Sequence, residues 1–389
     1  MTKAPAPYVL WLPSWYPNKL APFDGDFIQR HAKAAAMYND ILVLYAVPDE
    51  EEKVTGNVDE NFTRNGRLAE HIIYFKKSAG LLGRVLAFLK WNELLRKTIK
   101  RYVKENGKPD IVHVHVPMKA GLIARWIKRK YDVSYVVSEQ SAHYKMGSHD
   151  DFFDKNIIYR KEMTRVYREA TAVTNVSVAV GNTIKELFNL RAVQTINNTV
   201  DTTLFNYEDS DYKTFRFIHV STLTESQKNV TGILSAIKKL SKRRQDFEFI
   251  IVGPANKEFR ELVKTSGIED FVILTGEISY ADVSKEMKRA SALVLFSRYE
   301  NLPCVIVEAL CCGLPVIATD VGGIKELINE NNGMLVQSEN ENELTESMDH
   351  LINEYNNYDR KQIATNAREK FSYSTIGKQF NTLYREIGG

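Results

Sequence analysis

Cysteine is scarce in this sequence, with only Cys304, Cys311 and Cys312 in 389 residues, all within nine positions. The adjacent pair cannot readily close on itself in disulfide geometry, so reduced thiols are expected rather than a disulfide scaffold. There is no run of 18 or more apolar residues, which excludes a helix spanning a bilayer. Prolines interrupt the opening "MTKAPAPYVLWLPSWYP", and no export signal is expected there. No G-x-G-x-x-G follows a strand-like run and the P-loop pattern is missing, which argues against a nicotinamide or flavin dehydrogenase and a P-loop nucleotidase. A formal charge of +3 is too small to imply a nucleic-acid partner. Short-period repeats and low-complexity tracts are also lacking.

What remains is the length and composition of two ordinary domains of ~150 to 200 residues each. Short β-branched and aliphatic runs alternate with longer stretches of helical period, the pattern of a parallel sheet covered on both faces. The first half offers "YVLWL", "DILVLYAV", "HIIYF", "DIVHVHV", "SYVVSEQ", "TAVTNVS" and "VQTINNTV". The second offers "FRFIHVS", "FEFIIVG", "FVILTG", "ALVLFS", "PVIATD" and "GMLVQ". Each set is enough for its own doubly wound sheet. The polar, aperiodic stretch from Asp201 to Phe215 reads as the linker. The expected domains are therefore 1–205 and 206–389, facing across a cleft where loops at the carboxyl ends of the strands gather.

One stretch, "SRYENLPCVIVEALCCGLPVIATDVGG" from Ser297 to Gly323, carries two carboxylates amid apolar sequence. "ALVLFS" reads as a strand, "RYENLP" as the loop at its carboxyl end and "CVIVEALCCG" as the next helix, ended by Gly313 and Pro315. Glu300 then lies in the loop. Glu308 lies one to two turns into the helix, near the positive end of the macrodipole. The first-turn amides of Leu302, Cys304 and Val305 are helix-start donors suited to an anion, and Pro303 has no amide to leave unpaired. Amides for an anion beside acceptors for hydroxyl groups suit a phosphorylated polyol, such as a nucleotide sugar. Alternatively, Glu308 charges its own helix and Glu300 stands in solvent.

At these residues the sequence resembles the retaining glycosyltransferases of the glycosyltransferase group 1 family. The resemblance runs over nearly the whole chain: "WYPNKLAPFDGDFIQRHAKAA", "PDIVHVH", "INNTVDTTLF", "HVSTLTESQKNVTGILSAI" and "ENLPCVIVEALCCGLPVIATDVGGIKELI" follow the family's order. It implies an α/β protein of two Rossmann-like domains, the GT-B fold, with the acceptor on the first domain and a nucleotide-sugar donor on the second. A last helix, about 374–387, would return to the first domain. Glu308 would hold the donor ribose and Glu300 would meet the sugar ring. Lys228 would steady the departing diphosphate together with the helix start at Leu302, Pro303 and Cys304. Asp24 and Gly25 would let backbone approach the diphosphate from the first domain. The resemblance implies no metal or other cofactor.

Two positions depart from the family's pattern. Thr222 stands where an arginine is usual, leaving Arg298 to compensate. Gln140 takes the place of a histidine at the end of "VVSEQ", with His143 three residues on, either sharing its duty or as a loop histidine without one. His113 and His115 alternate along one strand and share a face, the beginning of a metal site, but no third ligand has recognisable spacing. Gly322 and Gly323 line the sugar pocket or simply make a tight turn. From Lys76 to Lys108 the chain is strongly basic. Leu82, Val85, Leu89, Ile99 and Val103 recur at helical spacing and are expected to pack on the sheet, while Lys90, Lys97, Arg101 and Lys104 share another face, suited to an anionic membrane surface. The functional expectation is a metal-independent glycosyltransferase, cytoplasmic and peripheral to the membrane, using a glycan or lipid-linked acceptor and no nucleic acid. The alternatives are a nucleotide-sugar epimerase of the same fold or a catalytically silent partner subunit.

Overall fold

The computed structural model describes residues 6–50, 53–54, 56–77, 80–141, 144, 152–209 and 214–388. The chain divides into two compact units, one running through Asn197 and resumed from Tyr373, the other Asn198–Ser372. The division falls before the 205/206 position read from sequence because residues 198–205 are tied to the second unit. Asn198 Nδ2 donates to the Leu302 carbonyl (2.6 Å), Thr199 Oγ1 to that of Phe371 (2.8 Å), and Ser284 Oγ to that of Leu204 (2.7 Å).

The first unit is built on eight strands: β1 (Tyr8–Pro13), β2 (Asp40–Asp49), β3 (Val58–Asn65), β4 (Leu68–Lys76), β5 (Ile111–His115), β6 (Ser134–Glu139), β7 (Ala172–Asn175) and β8 (Gln194–Thr195). Their order is β3-β4-β2-β1-β5-β6-β7-β8, and every pairing except β3 with β4 is parallel. The connecting helices are α1 (Asp26–Ala36), α2 (Gly80–Asn106), α3 (Met118–Tyr131), α4 (Ile157–Glu169) and α5 (Val178–Phe188). Successive strand residues point to opposite faces. Leu10, Leu12, Val112 and Val114 therefore join one core, whereas Val9, Trp11, Ile41 and Ile111 join another under α1 and the C-terminal helix Tyr373–Gly388.

Three sequence expectations change here. β3, "VDENFTRN", is a polar edge strand with no apolar alternation to reveal it; the sign that was available is the Asn65-Gly66 dipeptide closing its hairpin, with Gly66 at φ +57°. "VQTINNTV" supplies only the two residues of β8. The apolar stripe on α2 splits: Ile99 is buried and Val103 half-buried, but Leu82, Val85 and Leu89 are 72%, 52% and 55% exposed, and Leu86 joins them at 53%. Of the basic residues, Lys90 donates to the Asn57 carbonyl (3.1 Å) and Arg101 pairs with Glu60 (3.3 Å), while Lys97 and Lys104 face solvent.

The second unit holds β9 (Phe215–Val220), β10 (Phe247–Val252), β11 (Val272–Gly276), β12 (Ala292–Leu295), β13 (Val316–Thr319) and β14 (Gly333–Val336), all parallel, in the order β11-β10-β9-β12-β13-β14. Its helices are α6 (Glu225–Lys228), α7 (Val230–Ser241), α8 (Lys257–Thr265), α9 (Tyr280–Arg289), α10 (Cys304–Cys311), α11 (Glu341–Glu354) and α12 (Arg360–Phe371). This is the doubly wound order whose direction reverses between β9 and β12, so the crevice for a ligand lies beyond the carboxyl ends of those two strands.

The C-terminal helix crosses α1 so closely that a Cβ on Gly377 would stand 2.1 Å from the Ala34 carbonyl oxygen. Gly377→Ala should therefore destabilise the protein by about 1–3 kcal/mol through overpacking. Gly388→Ala, whose added carbon would find only an ordinary 3.8 Å contact with Ile111, should change little. Thermal unfolding of the two variants checks the difference.

Candidate functional site

Beyond β12 the chain runs through Phe296 and Ser297, both fully buried, into the loop that carries Glu300 and then into α10. Beyond β9 it runs through Ser221 to α6, whose last residue is Lys228. The two loops meet. The Lys228 ammonium donates to Glu300 Oε1 at 2.5 Å, and Ser297 Oγ donates to the same oxygen at 2.8 Å. Glu300 is only 8% exposed, so its charge is offset by direct partners rather than by water.

The backbone around this pair is held tightly. Gly322, at φ +60°, passes so close to Glu300 that a Cβ there would stand 1.9 Å from its carbonyl oxygen, and the Gly323 amide donates to the Asn301 carbonyl at 2.8 Å. Gly322 is thus required by the turn that packs against the Glu300 loop. Arg298 does not supply the charge missing at Thr222. Its guanidinium donates to the carbonyl and carboxylate of Glu225, to Asn229 Oδ1 (2.9 Å) and to Glu339, and its amide donates to the Gln227 carbonyl (2.8 Å). Arg298 clamps the segment carrying Lys228. Thr222 is exposed, its hydroxyl 3.0 Å from that of Thr224.

A hydrogen-bond chain that the sequence did not reveal sets the other side of this loop. His219 Nδ1–H donates to the Val294 carbonyl (2.9 Å), leaving Nε2 to accept from the Ser221 hydroxyl (2.7 Å), whose oxygen in turn accepts the Leu223 amide (3.0 Å). Burial pulls His219 down to about 4, helped by the nearby Lys228 charge, so the ring is neutral. Leu223 is held at φ +54°, and Gly253 leaves room for it: a Cβ there would lie 2.3 Å from the Ser221 carbonyl oxygen.

Glu308 is on the fifth residue of α10, 5% exposed, and accepts from the Tyr280 hydroxyl at 3.1 Å. Leu302, Pro303 and Cys304 form the entry to this helix, with Pro303 as its cap residue and the Ile306 amide donating to the Pro303 carbonyl (3.2 Å). Burial and the Glu308 charge push the Cys311 thiol up to about 12, so it stays protonated. All three cysteines are free thiols.

In the first unit, Asp24 and Gly25 close the loop after β1. Gly25, at φ +63°, caps α1, and a Cβ on it would strike the Trp15 backbone at 2.5 Å. Packing within the loop itself therefore demands glycine. Burial, then the charge of Asp26, raises Asp24 to about 6. The same loop borders an open cavity of about 310 Å³ lined by Tyr16, Lys19, Gln29, Asn61, Glu70 and Tyr74. Gln140 is buried, and its amide nitrogen donates to His31 Nδ1 (2.6 Å), whose Nε2–H donates to the Asn197 carbonyl (3.0 Å). The side chain read as facing a sugar is thus engaged within its own unit. His143 lies outside the described residues. His113 and His115 stack at 4.1 Å in the core with Trp11, and His113 hydrogen-bonds Tyr384 (2.6 Å) and Ser138 (2.7 Å). These rings belong to packing, and no group of three metal-ligating side chains occurs among the described residues.

Two family models match the chain: glycosyl transferases group 1 over residues 201–370 and glycosyltransferase family 4 over 52–204. The chain belongs to the group 1 glycosyltransferases. Relatives of this glycosyltransferase include an uncharacterized glycosyltransferase of Methanocaldococcus jannaschii, 27% identical over 74% of this chain and 79% of that protein. Another is the putative teichuronic acid biosynthesis glycosyltransferase TuaC of Bacillus subtilis, 22% identical over 96% of this chain and 94% of that protein. Among solved structures, Anabaena HepE in complex with UDP is similar at a TM-score of 0.72 and 18% identity, over 97% of this chain and 100% of that one. At that identity the likeness shows the fold, and the two sheets of this glycosyltransferase are those of GT-B.

Five buried histidines give the glycosyltransferase a pH signature. Burial lowers His31 and His219 to about 4, holds His113 and His115 well below 6.5, and lowers His71 against the opposing pull of Glu60. Between about pH 4 and 6.5 the unfolded chain binds protons that the folded chain refuses, so their contribution is full above 6.5 and is lost as pH falls through that window. Asp24 works in the opposite sense between about pH 4 and 6, as a single group. The melting temperature should therefore fall steadily from pH 7 to pH 5, and His219→Gln should flatten part of that slope. A profile of melting temperature against pH that is flat, or that rises on acidification, would contradict this.

Proposed function

We propose that this glycosyltransferase is a retaining, metal-independent enzyme that moves a sugar from a nucleoside diphosphate donor to a hydroxyl of a glycan or lipid-linked acceptor. The observation that carries the reading is the buried Lys228–Glu300 pair at the point where the second sheet reverses direction, with Glu308 in the adjoining helix. In this reading Glu308 accepts from ribose hydroxyls, Glu300 from a sugar hydroxyl, and the Lys228 ammonium takes the negative charge that grows on the diphosphate as its bond to the anomeric carbon breaks. The entry to α10 at Leu302, Pro303 and Cys304 flanks the diphosphate. Thr222 offers a hydroxyl there, so Lys228 bears the charge alone. HepE was solved with UDP and with UDP-glucose, which supports a donor of that class here. The acceptor hydroxyl takes the leaving group's place on the same face of the sugar and gives its proton to the departing diphosphate oxygen. The cavity beside the loop of Asp24 and Gly25, walled by amides, a carboxylate and tyrosines, suits an acceptor rich in hydroxyl groups.

In a thermal-shift screen of nucleoside diphosphates, the cognate one at 100 times its dissociation constant should add about 2.7 kcal/mol. Glu308→Ala should weaken that ligand by about 1.5–3 kcal/mol, read by calorimetry. Lys228→Ala should lower kcat more than donor affinity, and EDTA should leave the wild-type rate unchanged. Loss of activity in EDTA that magnesium or manganese restores would overturn the metal-free mechanism.

We further propose that the protein works at a cytoplasmic membrane surface. No helix among the described residues is long and apolar enough to cross a membrane. The outer face of α2, however, is apolar in its first turns at Leu82, Val85, Leu86 and Leu89 and basic in its last at Lys97, Lys100 and Lys104. Such a face lies in an interface with its apolar side immersed and its cations on anionic headgroups. Sedimentation with vesicles should show binding to anionic ones that salt weakens, and little to neutral ones. Equal partitioning to both kinds would count against it.

A further inference from the structure

On the opposite side of the first unit from the loop of Asp24 and Gly25, α2 and α3 leave a cavity of about 310 Å³ between them. Phe88, Trp91, Asn92 and Arg96 line it from α2, and Leu122, Arg125, Trp126 and Arg129 from α3. The site described above uses none of these residues.

Two features show that this cavity is not merely imperfect packing. The first is electrostatic. Arg125 is spoken for by Glu162 (2.6 Å) and Glu169 (2.7 Å), and Arg129 also reaches Glu169 (3.4 Å). Arg96 has no carboxylate partner among the described residues; its guanidinium rests on the Trp126 ring, 5.0 Å from the centroid. With three arginines against two glutamates, positive charge is left over at Arg96. The second is hydrogen bonding. Asn92 Oδ1 and Arg96 Nε are both buried from solvent with no partner among the described residues. A buried polar atom left unpaired is destabilising, so a donor opposite Asn92 and an acceptor opposite Arg96 would each be stabilising.

The remaining wall is apolar and aromatic: Phe88 stacks on Trp91 at 6.0 Å, and Leu122 and Trp126 face them. One helical step from Phe88 is Leu89, the end of the exposed stripe that starts at Leu82. A fitting ligand therefore carries an anion for Arg96, a hydroxyl for Asn92 and hydrocarbon that leads out along that stripe. We propose that the groove between α2 and α3 binds the headgroup of an anionic phospholipid bearing free hydroxyl groups, its phosphate on Arg96 and a headgroup hydroxyl on Asn92. The inference rests on the membrane reading above and gives it a specific lipid contact. Indole rings in the lining suit the depth of the headgroups, where aromatic rings with one polar edge collect.

Trp91 and Trp126 are two of only four tryptophans, so intrinsic fluorescence reports on the groove. The full chain is titrated with dihexanoyl phosphatidylglycerol kept below its micelle concentration, with dihexanoyl phosphatidylcholine, with glycerol phosphate and with inorganic phosphate. A saturable shift with the phosphatidylglycerol, at least tenfold weaker with each of the others, is expected. Arg96→Gln and Asn92→Asp, each checked for an unchanged melting temperature, should weaken it at least tenfold; the second keeps the shape but opposes the anion. No saturable shift, or variants that bind like the wild type, would overturn the proposal. Inorganic phosphate binding as tightly as the lipid would overturn the choice of ligand. Vesicle binding by the wild type that both variants retain would sink the headgroup site while leaving the membrane reading intact. A wild type that takes up the monomeric lipid but ignores anionic vesicles would do the reverse.

Discussion

Everything in the second unit turns on two opposite charges kept from water. Lys228 and Glu300 come from loops after different strands, and each is only modestly exposed. Removing either partner of such a pair leaves a charge without compensation, at a cost of about 3–5 kcal/mol. The surrounding devices have one effect in common: they fix the distance between the two loops. Arg298 ties the segment on which Lys228 sits, Thr319 Oγ1 holds the Ser297 carbonyl at 2.6 Å, and Gly322 lets the next turn lie against Glu300. In the proposed reading, a charge that stabilises a leaving group acts best when no side chain must move to meet it, and these contacts hold the loop in place.

Two apolar residues held at positive φ stand just beyond strand ends. Leu223 follows β9 at φ +54° and Val116 follows β5 at φ +57°. Each sits where its sheet reverses direction, and a β-branched residue such as Val116 rarely adopts that conformation. Such residues cost about 1–3 kcal/mol and persist only where neighbours over-determine them. The neighbours are evident. Val116 gives its amide to the Ser138 carbonyl (2.8 Å) and takes the Ser14 hydroxyl (2.5 Å), and Leu223 is held by Ser221.

Parallel strands buried on both faces are readable because the same β-branched run serves two cores, and nearly every such run became a strand. The helix that carries Glu308 was readable from its caps, Pro303 before it and Gly313 after it. What escaped did so for physical reasons. β3 is polar throughout, and only its Asn65-Gly66 turn betrays it. Helical period in α2 shows which residues share a face but not where the neighbouring sheet ends, so Leu82 and Leu89 were assigned to packing they do not have. Strand position located Gln140 but not the direction of its amide, which goes to His31. The link from His219 through Ser221 to Leu223 depends on hydrogen bonds to a neighbouring strand, and nothing in "FIHVSTL" encodes them. Arg298, expected to make up for the arginine missing at Thr222, spends its charge on Glu225, Asn229 and Glu339 instead.

The chain leaves the first unit at Asn197 and re-enters it at Tyr373, so the 175 residues of the second unit are an insertion in the sequence of the first. Ile376, Phe380, Leu383 and Tyr384 are core residues of the first unit, and Tyr384 hydrogen-bonds His113. During synthesis at 5–20 residues per second, roughly 10 to 35 seconds separate the appearance of the first sheet from that of the helix that covers one of its faces. For that interval Val9, Trp11, Ile111 and Val136 have an incomplete cover, while the uninterrupted second unit can fold as soon as it emerges. The unit made first is therefore completed last, and the nascent chain is most exposed to aggregation or to chaperones on the face awaiting Phe380.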